Sequence, residues 1–195
     1  MLDARVQSRP HQIRNPETST VLYSGTVLDI LGDYRKLKIQ DIAESLSRLP
    51  RYLGHLDKDL SVAQHSVMVS RLCKQCKRAG LLHDAHEALI GDLPGPVKHA
   101  FEVMFPETWS VFEGMVAAKV RARFGVPKRI PEMVHEADMF MRQVEVYHCS
   151  RNGSQYMKLG LTPDSGYGRM QWDGIWDATR AKREFLTEAK LLGVY

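Results

Sequence analysis

The sequence predicts a mainly α fold, one helical bundle with a short β-hairpin near its N-terminus. Three observations carry the prediction. Apolar residues recur at three- and four-residue steps in separate segments along the chain, the spacing that gathers them on one helix face. Those segments open at Ser or Pro and close at Gly or Pro, as helices do. The stretch Val21 to Leu31, with Gly25 and Gly32, instead reads as a short strand or hairpin.

Residues 1 to about 20 are polar, carry Pro10 and Pro16 and show no period, so they are expected to be a flexible arm, with residues 21–195 as one domain. Ile39, Ile42, Leu46 and Leu49 begin the first helix, and Pro50 stops it. After the loop Arg51-Tyr52-Leu53-Gly54-His55, Ser61 and Gln64 form a capping box for a helix whose apolar face is Val62, Met68 or Val69, and Leu72. A third helix is expected from about Arg78 to Ile90, closed by Gly91 and followed by the stiff turn Asp92-Leu93-Pro94-Gly95-Pro96 leading to Lys98. Trp109, Phe112, Val116, Val120 and Phe124 mark a long helix ended by Gly125 and Pro127, its aromatics expected in the core. Pro131 opens another helix, with Val134, Asp138 and Met141 on one stripe. A loop from about Ser150 to Gln171 leads to Trp172 and Trp176, which are expected to anchor a last helix near Ala178 to Leu192.

With 44% hydrophobic and 26% charged residues, the 195-residue chain can bury one core. A net charge of +4 suits an anionic ligand, but the charges are dispersed, which argues against a nucleic-acid surface. No apolar run approaches the roughly 20 residues of a membrane span, and the N-terminus does not read as a leader, so a cytoplasmic protein without membrane partners is expected. Three cysteines make no disulfide framework. Cys73-x-x-Cys76 lacks a second ligand pair, so structural thiols are the better reading than zinc or redox chemistry.

The informative residues are polar groups on apolar faces. His65 lies three residues after Val62 and three before Met68, where a lone histidine is more often a hydrogen-bonded core residue than a ligand. Asp138 repeats the anomaly, and a buried carboxylate costs several kcal/mol unless a cation answers it. Arg142, four residues on, is a partial answer. His83 and Asp84 stand side by side in Leu81-Leu82-His83-Asp84-Ala85, with Glu87 one turn later. Two imidazoles and two carboxylates are ligands suited to one divalent zinc, cobalt, manganese or iron ion. Glu87 shares their face, where a general acid or base belongs, although a surface carboxylate is the ordinary reading of a helical Glu.

Together, Ser61-Val62-Ala63-Gln64-His65-Ser66, Leu82-His83-Asp84-Ala85-His86-Glu87-Ala88 and Gly91-Asp92-Leu93-Pro94-Gly95-Pro96-Val97-Lys98 resemble the small HD-domain phosphohydrolases, which include bacterial 5'-deoxynucleotidases and phage dATP triphosphohydrolases. Tyr23-Ser24-Gly25 and Asp41-Ile42-Ala43 resemble the phage-type members, and the likeness covers about Leu22 to Val146. The resemblance implies an HD-domain bundle with metal ligands at His65, His83, Asp84 and Asp138, the last matched by Glu136-Ala137-Asp138 alone. It implies acid/base work by Glu87 and Asp92, though Asp92 reads equally as an Asx turn before Pro94. It implies that Arg51 grips phosphate, that Tyr52 faces the nucleoside, and that His55 and Lys98 contact phosphate. On residue type alone, Arg51 and Lys98 read equally as solvated cations.

A deoxynucleotide substrate, one divalent ion per subunit, a further Mg accompanying a triphosphate, and a homo-oligomer are the expectations that follow. Hydrolysis of dATP is the first reading, with Pro94-Gly95-Pro96 walling the base edge so that Pro96 discriminates between purines. A 5'-nucleotidase for deoxynucleoside monophosphates is the second. A non-catalytic nucleotide-binding HD module is a third, against which a complete ligand set plus Glu87 argues.

Overall fold

The computed structural model describes residues 15–152 and 172–195 and is mainly helical, with one two-stranded sheet. After a 3-10 turn at Pro16–Thr18, β1 (Ser19–Val21) pairs antiparallel with β2 (Val27–Asp29), with Ser19 opposite Asp29 and Val21 opposite Val27. Gly25 turns the chain between them at φ +78°, a left-handed conformation that favours glycine. Ser19 and Thr20 pair with β2 and Thr18 O accepts from the Ile30 N–H, whereas residues 1–14 of the expected arm lie outside the described residues.

Helix α1 (Ile39–Arg48) buries Ile39, Ile42 and Leu46. Its Asp41 carboxylate accepts from the backbone N–H of Lys38 at 3.2 Å and of Ser24 at 2.7 Å, which caps the helix and ties the hairpin to it. A bridge between Pro50 and Ser61 closes the next loop. There the Arg51 N–H donates to Leu60 O at 2.8 Å, and the Val62 N–H donates to Leu49 O at 3.0 Å. This clamp holds Arg51 beside the start of α2 (Val62–Leu72).

Helix α2 is the centre of the bundle, buried on every side from Val62 to Ser70 rather than on the single face its spacing suggests. Ser61 caps it by accepting from the Gln64 N–H at 3.2 Å. The reciprocal half of the expected capping box is missing, because the Gln64 amide is engaged elsewhere: it donates to Gly174 O at 2.8 Å and accepts from the Trp176 N–H at 2.9 Å. Trp176 is thereby locked against α2 at the head of the final helix.

The expected third helix is broken. Helix α3 (Lys77–Leu82) and the short α4 (Glu87–Ile90) are separated by tight turns at His83 to His86, where the Ala85 and Glu87 N–H groups reach back three residues to Leu82 O and Asp84 O. The turn beginning at Asp92 is also shorter than expected, since Pro96 and Lys98 sit in the first turn of α5 (Gly95–Met104). Proline is tolerated there because those N–H groups have no intrahelical partner.

Helix α6 (Thr108–Arg123) puts Val116 and Val120 in the core, and α7 (Glu132–Cys149) and α8 (Ala178–Leu191) pack on α2. Phe124 is in the core as expected, but Trp109 and Phe112 are only half-buried. With Phe101 and Phe105 they form a chain of aromatic contacts that holds α5 on α6, and Phe112 joins it to the core. Among the described residues, no helix is long and apolar enough to cross a membrane. The expected loop from Ser150 to Gln171 lies almost wholly outside the described residues.

Candidate metal centre and its cavity

The hydrogen bonds of two histidines define the centre. His65, fully buried in α2, donates from Nδ1 to Glu145 Oε1 at 2.5 Å, and His83 donates from Nδ1 to the Gly80 carbonyl at 2.8 Å. Carboxylate and carbonyl oxygens can only accept, so each neutral ring keeps its lone pair on Nε2. The two Nε2 atoms face each other at 3.3 Å. Asp138 Oδ1, from α7, lies 3.2 Å from the first and 4.0 Å from the second, and Asp84 Oδ2 lies 3.7 Å and 3.0 Å from the same pair. Acceptors from α2, α7 and the α3–α4 turn thus converge with no donor of their own.

That donor set fits a divalent cation. His65, His83 and Asp138 form a group that could hold a metal ion, their ligand atoms within 4.8 Å of one another, and Asp84 stands against both imidazoles. Without a cation, a proton answers the cluster. Burial and the Arg51 charge push the His65 imidazole down, but Glu145 and the Asp138 bond outweigh them and raise it to about 9. Burial pushes the Asp138 carboxyl up, yet the His65 bond and charge hold it at about 2. Arg142 completes the Asp138 environment, with Nη2 at 2.8 Å from Oδ2, as the four-residue step suggests.

The centre opens on a cavity of about 720 Å³, a volume suited to a small-molecule ligand. His83, Asp84 and Asp138 line it, together with Arg51, Tyr52, Glu87, Asp92, Pro96 and Lys98. Arg51 is buried, with Nη1 at 3.4 Å from Asp92 and 3.6 Å from Asp84, and Nη2 at 3.5 Å from Glu145. Its Nε has no hydrogen-bond partner among the described residues. Tyr52 sits at φ 55°, a conformation costly for a non-glycine residue, and this turns its hydroxyl to donate to Glu145 Oε2 at 2.9 Å. Its phenol is therefore committed to the protein. His55 is exposed and lies outside the cavity lining.

Glu87 is buried, and its Oε2 has no hydrogen-bond partner among the described residues. Burial, together with the nearby charges of Asp84 and Asp92, raises its carboxyl to about 10, so it is a neutral acid at pH 7. Asp92 is raised in the same direction by burial and Asp84, with Arg51 opposing. Lys98 Nζ lies 2.6 Å from Glu113 Oε1, which also meets His86 Nε2 at 3.4 Å.

No family model matches the chain. It is 38% identical over 108 residues to an uncharacterized protein, YfdR, of Escherichia coli, a match covering 55% of this chain and 58% of the relative. It is 33% identical over 127 residues to an uncharacterized protein of Rhodobacter capsulatus, covering 60% of this chain and 63% of the relative. The chain thus spans less than two thirds of the length of these curated relatives.

Two residues of the site escape a motif-based reading. Glu145 is fully buried and joins His65, Arg51 and Tyr52 through its two oxygens. Its signal was available: it lies seven residues after Asp138, on the stripe Val134, Asp138, Met141, Glu145. Glu113 binds Lys98 across the α5–α6 contact, and nothing in its local sequence marks that pairing.

Proposed function

We propose that this protein is an HD-domain phosphohydrolase that removes phosphate from deoxynucleotides with a divalent metal ion, and that its substrate is a deoxynucleoside triphosphate, dATP. The observation that carries the reading is the convergence of the His65 and His83 Nε2 lone pairs with the Asp84 and Asp138 carboxylates on the wall of a cavity that also holds a neutral Glu87. A divalent ion bound by those four residues would supply Lewis-acid polarisation of a phosphoryl oxygen and acidification of water. Arg51 positions the phosphate, since its backbone is clamped to Leu60 and the residue lines the cavity. Glu87 lines the cavity with a carboxyl raised to about 10, which suits delivery of a proton to a leaving-group oxygen. Pro96, in the cavity lining on α5, bounds the space open to a base.

One observation favours the monophosphate reading instead. Arg51 already faces three carboxylates and Lys98 is paired with Glu113, which leaves less free positive charge for a triphosphate. The test is incubation of purified protein with each nucleoside mono- and triphosphate, with cobalt, manganese, zinc or magnesium supplied, and chromatography of the products. Cleavage of dATP ahead of the other nucleotides is expected. Cleavage confined to monophosphates replaces the substrate, and no cleavage with any metal removes the phosphohydrolase reading.

A further inference from the structure

Helix α6 contributes a second wall to the same cavity, through Ser110, Gly114, Ala117 and Arg121. These residues recur at four-, three- and four-residue steps and so share one face. A Cβ built on Gly114 would meet nothing within 4 Å, so the space over this wall is cavity and not a close contact that glycine permits. Three small side chains leave the wall low, and the fourth is a cation.

Among the described residues, the charges of the cationic side chains around the cavity are answered, with one exception. Arg51 faces Asp84 and Asp92, Lys98 faces Glu113, and Arg142 faces Asp138. Glu87 is the remaining lining carboxyl, and it makes no ion pair among the described residues. Arg121 has no ion pair among the described residues, and its Nε is buried without a hydrogen-bond partner. Burial lowers its pKa, which marks a cation partly stripped of water with no anion returned.

We propose that Arg121 forms an anion subsite for the phosphates beyond the first, so that the cavity selects nucleoside polyphosphates over monophosphates. The inference rests on the nucleotide reading above and decides between its two substrates. A monophosphate would be held by Arg51 beside the metal centre and would leave Arg121 unanswered. A triphosphate chain brings oxygens that a guanidinium can grip with two parallel bonds.

The test is calorimetric titration of the purified protein with inorganic tripolyphosphate and with inorganic phosphate. Arg121→Gln removes the charge, Arg121→Lys keeps it, and Arg129→Gln matches the change in net charge at an exposed residue outside the cavity lining. Charge-assisted bonds of the usual strength predict that Arg121→Gln weakens tripolyphosphate binding by about 10–100-fold and phosphate binding by less than about threefold. Arg121→Lys should recover part of that loss, and Arg129→Gln should cause none. Undiminished tripolyphosphate binding in Arg121→Gln overturns the subsite, as does an equal loss in Arg129→Gln or an equal loss for both ligands. The same proteins, assayed on deoxynucleoside mono- and triphosphates, separate the two claims. A wild type that cleaves no nucleotide yet binds tripolyphosphate through Arg121 ends the phosphohydrolase reading and keeps the subsite. An active enzyme whose Arg121→Gln variant binds tripolyphosphate normally does the reverse.

Discussion

Glu145 and His65 are both fully buried and share a 2.5 Å hydrogen bond from Nδ1 to Oε1. That bond fixes the imidazole's tautomer and aims Nε2 at His83, Asp84 and Asp138. A carboxylate behind a ligating histidine also makes the ring a stronger donor. Glu145→Gln keeps the shape and removes the charge, so metal affinity should fall by about 10–100-fold, measured by competition with a chelator of known strength. An unchanged affinity would reduce Glu145 to a packing residue.

Asp84 stands 3.0 Å from His83 Nε2, and its carboxyl is held well below the usual carboxylate range: burial raises it, but the His83 charge and bond, with His65 and Arg51, outweigh burial. Asp84→Ala should abolish both stoichiometric metal, read by elemental analysis, and hydrolysis. Full metal content in that variant would place the centre elsewhere.

Glu87→Gln replaces a protonated carboxyl with an amide of the same shape, so folding and metal content should change little. Turnover should fall by about 10²–10⁴, because the amide cannot transfer a proton. A wild-type kcat in the variant would end the acid role.

Much of the centre was legible because burying charge is costly, and that cost shows as polar residues in apolar patterns. Asp138 and His65 stand out between Val134 and Met141 and between Val62 and Met68, and the structure brings them within 3.2 Å of each other. Helix α5 was not legible, since Pro94, Gly95 and Pro96 read as a turn until the missing N–H groups are seen to fall where a helix start has none to satisfy. The burial of α2 on all sides was hidden for a different reason. Ser66 and Ser70 are small enough to pack inside, so the helix carries a polar face in sequence and none in space. Tyr52 lines the cavity, but the bond from its hydroxyl to Glu145 joins residues 93 positions apart, which no local pattern shows.

Glu113 offers a pH test away from the metal centre. Its carboxylate accepts from Lys98 at 2.6 Å, from Trp109 Nε1 at 3.2 Å and from His86 at 3.4 Å. Burial opposes ionisation, but the bonds to His86 and Lys98 outweigh it and lower the carboxyl from 4.5 to about 2. A carboxyl whose folded pKa is depressed contributes stability that is complete above its unfolded pKa and disappears as pH falls through the folded one. The Glu113 contribution should therefore be full at neutral pH, decline below about pH 4.5 and vanish near pH 2. Solvent reaches part of the pair, so its worth is about 1–2 kcal/mol rather than the full linkage value, or roughly 2–8 °C in Tm for a chain of this length. Glu113→Gln should lower Tm by that amount at pH 7, and the gap to wild type should close as both are acidified toward pH 2. Because Lys98 anchors α5 to α6 through this carboxylate, the same substitution should loosen the cavity wall that carries Pro96. A gap that stays constant from pH 7 to pH 3 would show that Glu113 contributes by packing rather than by charge.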